Sequence, residues 1–193
     1  MPVITELRER PRGRVEIHLD GAPWRLVPAD AVVRANLHVG RPLDRPTARA
    51  LGRELRRAEA LGVAVRALRH RDLSRGRLEA RLAARGTTPT ARAGALETLE
   101  RAGLLDDARV AATRATGLAA RGYGDAAIRA ALEAESLDAE LVADALAGLE
   151  PEAERARDLL ERRGGGVKTL RRLAARGFSP ETLENAGGFA EGA

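Results

Sequence analysis

Apolar and polar positions change their period once along this chain. Near the N-terminus the period is two. Val15, Ile17 and Leu19 alternate with Glu16 and His18, which predicts a strand with one buried face. Asp20-Gly21 follows, a pair that favours the left-handed backbone of a tight hairpin turn. Trp24 and Leu26, with Ala22, continue a returning strand, and Pro23 places it at a sheet edge. An earlier strand is expected at residues 4–8. Pro28 and Asp30 open a short helix that should stop near His38-Val39-Gly40. Asp44 and Pro46 then start a longer helix, with Leu51, Leu55, Ala58 and Leu61 on one side and arginines on the other, ended by Gly62.

From residue 63 onward the pattern is helical. Start signals recur at Ser74, Thr88-Pro89, Asp106, Asp138 and Ser179-Pro180, and stop signals at Gly86, Gly103, Gly122, Gly164 and Gly177. The pattern also repeats. Leu82-Ala83-Ala84-Arg85-Gly86 followed by Pro89 aligns with Leu173-Ala174-Ala175-Arg176-Gly177 followed by Pro180. Leu132 to Ser136 fits between them, while Leu118 to Gly122 carries the same pentapeptide out of phase. The fold class predicted is mostly α: three tandem three-helix modules in an elongated array, preceded by a small N-terminal β-hairpin and helix extension. The expected boundaries are 1–62 for the extension, then 63–103, 104–150 and 151–193 for the modules. The extension is expected to be an accessory unit whose removal leaves the helices folded.

Composition sharpens this picture in a few places. The aromatic residues are Trp24, Tyr123, Phe178 and Phe189, so the stripes are rich in alanine and the core should be thin. Residues from about 187 onward are expected to fray. With 193 residues and no cysteine, thiol catalysis, thiolate metal sites and disulfides are excluded. No apolar run approaches a membrane span and the start lacks a signal peptide's apolar stretch, so a cytoplasmic location is expected. Charge is uneven: residues 1–63 carry net +4, 64–103 net +5, 104–150 net −5 and 151–193 net +1. A basic first half beside an acidic segment fits different surfaces for different partners.

Candidate catalytic chemistry is sparse. His18, His38 and His70 are scattered without metal-ligand spacing, and His18 and His70 read as surface residues. Gly164-Gly165-Gly166 before Lys168 lacks the spacing of a phosphate loop and reads as an interhelix hinge. Asp106-Asp107 lies at a helix start, where carboxylates cap and meet the positive dipole end. What remains is basic spacing. Arg77, Arg81 and Arg85 stand at i, i+4 and i+8 in the middle helix of the first module, and Lys168, Arg172 and Arg176 stand at the equivalent places in the third. In the second module the same places hold Ala127, Ala131 and Glu135. The stripe is present, absent, present, which a uniform arginine bias would not produce. It is either a solvated face or a binding surface for a polyanion shared between the two modules.

At this point the residues resemble a family. Arg71-Asp72-Leu73-Ser74-Arg75, then Leu78, Leu82 and Gly86, then Leu96, Leu99 and Gly103-Leu104-Leu105-Asp106-Asp107 with Arg109, is similar to the first module and junction of RecX, the bacterial regulator of the RecA recombinase. Arg121-Gly122-Tyr123-Gly124 with Ile128, Arg129 and Leu132 resembles the second module, and Arg176-Gly177-Phe178-Ser179 the third. The N-terminal strands resemble an extension of some members. The family usually has Phe where Val110 stands, and basic residues where Thr116, Leu118, Ala120, Asp125 and Ala126 stand here.

The resemblance implies a protein that is not an enzyme. It would bind the RecA–DNA filament and limit recombinase, ATPase and co-protease activity in DNA repair and the SOS response. The partners implied are the RecA filament and the backbone of single- and double-stranded DNA, with a monomer as the expected state and no membrane. No cofactor and no metal is expected, since ATP would be hydrolysed by RecA. Leu104, Leu105, Asp106, Asp107 and Arg109 are expected to be structural. The alternative is a free-standing DNA-binding protein of helix-turn-helix type, but the modules hold almost no Asn and no Gln to read base edges. A third class is a helical scaffold with no nucleic acid.

Overall fold

The computed structural model describes residues 1–188. Phe189 and the residues after it, most of the segment expected to fray, lie outside the described ones. Three strands, β1 (Ile4–Arg10), β2 (Arg14–Leu19) and β3 (Ala22–Pro28), form an antiparallel sheet in the order β1-β2-β3. Asp20 and Gly21 turn the second hairpin with φ of 48° and 86°, the left-handed pair of a type I′ turn. Ile4, Val15, Ile17 and Val27 point to one face and pack on Ala31, Val32, Ala35, Leu37 and Leu51. His18, read as a surface residue, is instead only 6% exposed, with its Nε2 3.1 Å from Glu16 Oε2. Alternation alone places this imidazole on the outer face, where it stands opposite Glu6 on β1 and Pro23 on β3, beside a register shift between Ile17 and His18.

Two helices cover the inner face. The first, α1 (Ala29–Arg34), stops earlier than the His38–Gly40 signal suggested, because Asn36 takes a left-handed φ of 50°. The second, α2 (Arg45–Leu68), starts at the Asp44 cap, whose side chain accepts from Thr47 N at 2.7 Å. Gly62 does not end α2. Its φ is not left-handed, and buried Ala60 and Ala64 carry the apolar stripe across it onto α4. An interior glycine costs only about 1 kcal/mol against alanine, and packing overrides it. The boundary drawn at 62/63 therefore falls inside a helix, and the first module takes its first helix from the extension.

The remaining helices are α3 (Arg75–Ala83), α4 (Pro89–Arg101), α5 (Asp107–Ala120), α6 (Asp125–Glu133), α7 (Ala139–Ala147), α8 (Glu152–Arg163), α9 (Val167–Ala174) and α10 (Pro180–Gly188). The out-of-phase pentapeptide now has a reason. At Gly86, Gly122 and Gly177 the glycine N–H returns to the carbonyl three residues back, and the next N–H to the leucine carbonyl five back. Leu-Ala-Ala-Arg-Gly thus encodes one helix ending, with φ near 80° at each glycine, whatever its place in a module.

The chain divides into two compact units: residues 1–71 with 78–104, and 72–77 with 105–188 of the described chain. In the first, Arg57 on α2 donates to Gly94 O (3.3 Å) and Thr98 Oγ1 (2.7 Å) of α4 and is paired with Glu54. In the second, α5, α6 and α7 close on Ala111, Ala115, Ile128, Leu132, Leu137, Val142 and Ala145. Likewise α8, α9 and α10 close on Ala156, Leu160, Leu173, Phe178, Leu183 and Ala186. These are two three-helix modules, each with its middle helix carrying a buried leucine at the repeat position, Leu132 and Leu173.

Candidate functional site

The second unit contains the same junction twice, and it decides which basic side chains are free. At the start of α3, Ser74 Oγ donates to the Glu135 carbonyl in the last turn beyond α6. The Arg75 N–H donates to Asp107 Oδ1 at 2.7 Å. Residues 50 positions later do the equivalent at the start of α6. Gly124 N donates to Arg176 O (2.9 Å), Ala126 N to Gly177 O (3.2 Å), and Asp125 N to Glu152 Oε1 (2.7 Å). In each case the amide-rich start of one middle helix meets the carbonyl-rich end of the next. A carboxylate from the first turn of the following module completes the satisfaction of the N-terminal amides.

Close backbone approach is part of this design. A Cβ at Gly124 would run into the Gly177 carbonyl, and one at Gly177 would stand 2.5 Å from Ala127 N. Burial alone would push the Glu152 carboxyl up. Hydrogen bonds from Asp125 N, Ser179 N and the Thr182 hydroxyl outweigh that and hold it below the ordinary glutamate value. Arg155 is buried beside it. It donates to Glu150 O and Tyr123 O, both at 2.9 Å, pairs with the Asp125 carboxylate, and lies 5.9 Å from the Phe178 ring. Neither Glu152 nor Arg155 was singled out from the sequence. The one available signal was an arginine inside the apolar stripe of Ala156, Leu159 and Leu160.

The six basic positions divide accordingly. Arg77 is paired with the Glu135 carboxylate at 3.3 Å. Arg176 donates to Arg121 O at 2.7 Å, and its guanidinium lies 5.3 Å over the Tyr123 ring. Arg81 and Arg85 in the first unit, and Lys168 and Arg172 in the second, are exposed and make no side-chain hydrogen bond or ion pair among the described residues. The second module lacks the stripe for a structural reason at two of its three positions. Ala127 sits against Gly177, and Glu135 is the partner of Arg77 and of Arg114 at 3.4 Å. Only Ala131, between them, compares directly with Arg81 and Arg172.

The junction residues are also placed. Leu105 is buried and Leu104 half exposed. Asp106 caps α5, accepting from Arg109 N at 2.9 Å, while Asp107 serves the start of α3 as described. Arg109 lies 3.9 Å from Asp72 and 4.0 Å from Asp106. Among the described residues no group of three or more His, Asp or Glu could hold a metal ion, and no helix is long and apolar enough to cross a membrane.

Known proteins give this geometry a context. No family model matches the chain. Regulatory protein RecX of Xanthomonas axonopodis pv. citri (strain 306) is 39% identical over 140 residues, covering 67% of this chain and 84% of its own. The chain belongs to the RecX family. Regulatory protein RecX of Stenotrophomonas maltophilia (strain R551-3) is 37% identical over 137 residues, covering 66% of this chain and 82% of its own. A crystal structure of regulatory protein RecX matches with a TM-score of 0.81 at 22% identity, covering 95% of this chain and 98% of that one. RecX from Lactobacillus salivarius matches with a TM-score of 0.62 at 16% identity, covering 70% and 97%. At these identities the solved structures support the RecX fold: mostly helical, with a small three-stranded sheet at the N-terminus.

Proposed function

We propose that this chain is a non-catalytic regulator that binds the filament formed by the RecA recombinase on DNA. It lowers recombinase, ATPase and co-protease activity, in DNA repair and the SOS response. It works as a cytoplasmic monomer and needs no cofactor of its own. The relatives' shared description as regulatory proteins supports the regulatory part. The observation that carries the DNA part is the set of four unpaired cations: Arg81, Lys168 and Arg172 on the middle helices of the first and third modules, and Arg85 in the turn after α3. A long side chain held free in water is available to a phosphate at no cost in broken pairs. Arg77 and Arg176, already engaged within the chain, contribute less. The acidic second module, net −5 over residues 104–150, leaves phosphate contact to its neighbours and is suited to a protein surface.

Four cations on four phosphates give a log–log salt slope of about −2.8 on single strands. Contacts with the recombinase add affinity that depends less on salt. The test is co-sedimentation with RecA–DNA filaments. Arg81→Glu with Arg172→Glu should weaken binding strongly with the fold intact, since both side chains are exposed and unpaired. Ala131→Glu in the second module should do much less. Equal losses at all three positions, or none at any, would make the cations a solvated face.

A further inference from the structure

We infer that the cleft between α2 and the start of α4, in the first unit, binds the phosphodiester groups of a nucleic-acid strand. The cleft encloses about 500 Å³ and is lined by Arg53, Glu54, Arg56, Arg57, Thr88, Thr90 and Ala91. A smaller recess of about 90 Å³ is lined by Arg56 again, with Glu59, Arg85 and Thr88. Arg56, Thr88 and Ala91 are common to both, so Arg85 from the turn after α3 and Arg53 from α2 flank one continuous basic surface.

Three observations select the ligand. First, Arg53, Arg56 and Arg85 are exposed and make no side-chain hydrogen bond or ion pair among the described residues. Arg57 is spent on Gly94, Thr98 and Glu54, and Glu54 is its partner, which leaves Glu59 as the carboxylate opposing three free guanidiniums. Second, the start of α4 is uncompensated. Thr88 makes no side-chain cap bond, Pro89 has no N–H, and the first turn holds no acid. The Thr90 and Ala91 amides and the Thr88 and Thr90 hydroxyls are therefore donors in a field that disfavours another cation. Third, every lining side chain except Ala91 ends in a charged or hydroxyl group, with the stems forming the walls. Three free guanidiniums and two hydroxyls around one cleft fit a chain of phosphates. Arg85 of the adjoining recess follows the free Arg81 of α3 by four residues, so a strand contacting α3 would reach the recess and then the cleft.

This inference rests on the DNA reading above, and the experiment separates the two. The probe is a labelled 20-nucleotide oligothymidylate, with binding followed by anisotropy between roughly 50 and 200 mM salt. Replacing both Arg53→Gln and Arg56→Gln removes two phosphate contacts. The salt slope should become shallower by about 1.4, so the loss of affinity over that fourfold salt range shrinks about sevenfold. Arg45→Gln with Arg49→Gln removes the same charge from the same helix outside the cleft and should leave the slope unchanged. Equal effects of the two pairs would overturn the cleft and leave only net charge. Loss of binding in Arg81→Glu/Arg172→Glu without any change in the cleft pair would overturn the cleft and spare the DNA reading. No strand binding by the unaltered chain would overturn both. In nuclear magnetic resonance spectra, the oligonucleotide should shift the Thr90 and Ala91 amides more than inorganic phosphate at equal phosphate concentration. The reverse order would assign the cleft to a free anion and contradict the strand.

Discussion

Arg155 shows how much one side chain can hold. It is 8% exposed, so its guanidinium would be costly without partners, and it has two carbonyls and a carboxylate. Arg155→Met keeps the stem and deletes the donors. It should cost about 2 kcal/mol in thermal or denaturant unfolding, because a hydrogen-bonded charge is lost and the Asp125 carboxylate is partly solvated. Asp106→Ala should cost about 1 kcal/mol as a lost helix cap, with activity falling only in step with stability. A stable Asp107→Ala protein that no longer acts on RecA would move that residue from structure to function. Glu152 adds a pH dependence. Its folded carboxyl is depressed, so its stabilisation is full above the unfolded glutamate value and is lost as pH falls through the folded one. Wild type should therefore lose stability in that acid window, and Glu152→Gln, less stable at neutral pH, should converge with it there. A constant gap between the two down to low pH would remove Glu152 from the acid response.

At the scale of elements, the repeated junction is the feature that most constrains the chain. Gly124 and Gly177 approach each other so closely that any Cβ forces the first turn of α6 off the end of α9. Gly124→Ala should cost about 1–3 kcal/mol by overpacking, and Gly177→Ala adds the strain of a left-handed φ of 83°. Hydrogen exchange should show the Ala126 amide losing protection in both variants; unchanged protection would mean that the junction gives way cheaply. Helix starts and ends were legible because caps and glycine stops are local chemistry. Gly62 misled for the complementary reason: its fate depends on Ala91 and Ala95, some thirty residues away on α4. Deleting residues 1–62 therefore removes Ala60 and uncovers α4, and the shortened chain should lose protection in α4.

At the scale of the molecule, the basic stripe was visible in the sequence as a spacing, but not its division into free and engaged members. Arg77 and Arg176 looked equivalent to Arg81 and Arg172 until Glu135 and Tyr123 were placed beside them. Such partners come from other modules, and no periodicity within one helix predicts them. The Arg53–Arg56–Arg85 surface was hidden for the same reason, since Arg53 and Arg56 of α2 meet Arg85 from the turn after α3, some thirty residues on. The acidic run over residues 104–150 was legible as composition, and its role at Glu135 and Asp107 only as structure. The family assignment supports a regulatory role, and the proposal is that these surfaces exert it on RecA. The direct measurement is DNA-dependent ATP hydrolysis by the cognate RecA, with this chain added below stoichiometry. Hydrolysis should fall with the unaltered chain and recover with Arg81→Glu/Arg172→Glu; a rate unmoved even at equimolar chain would show that the chain does not act on RecA.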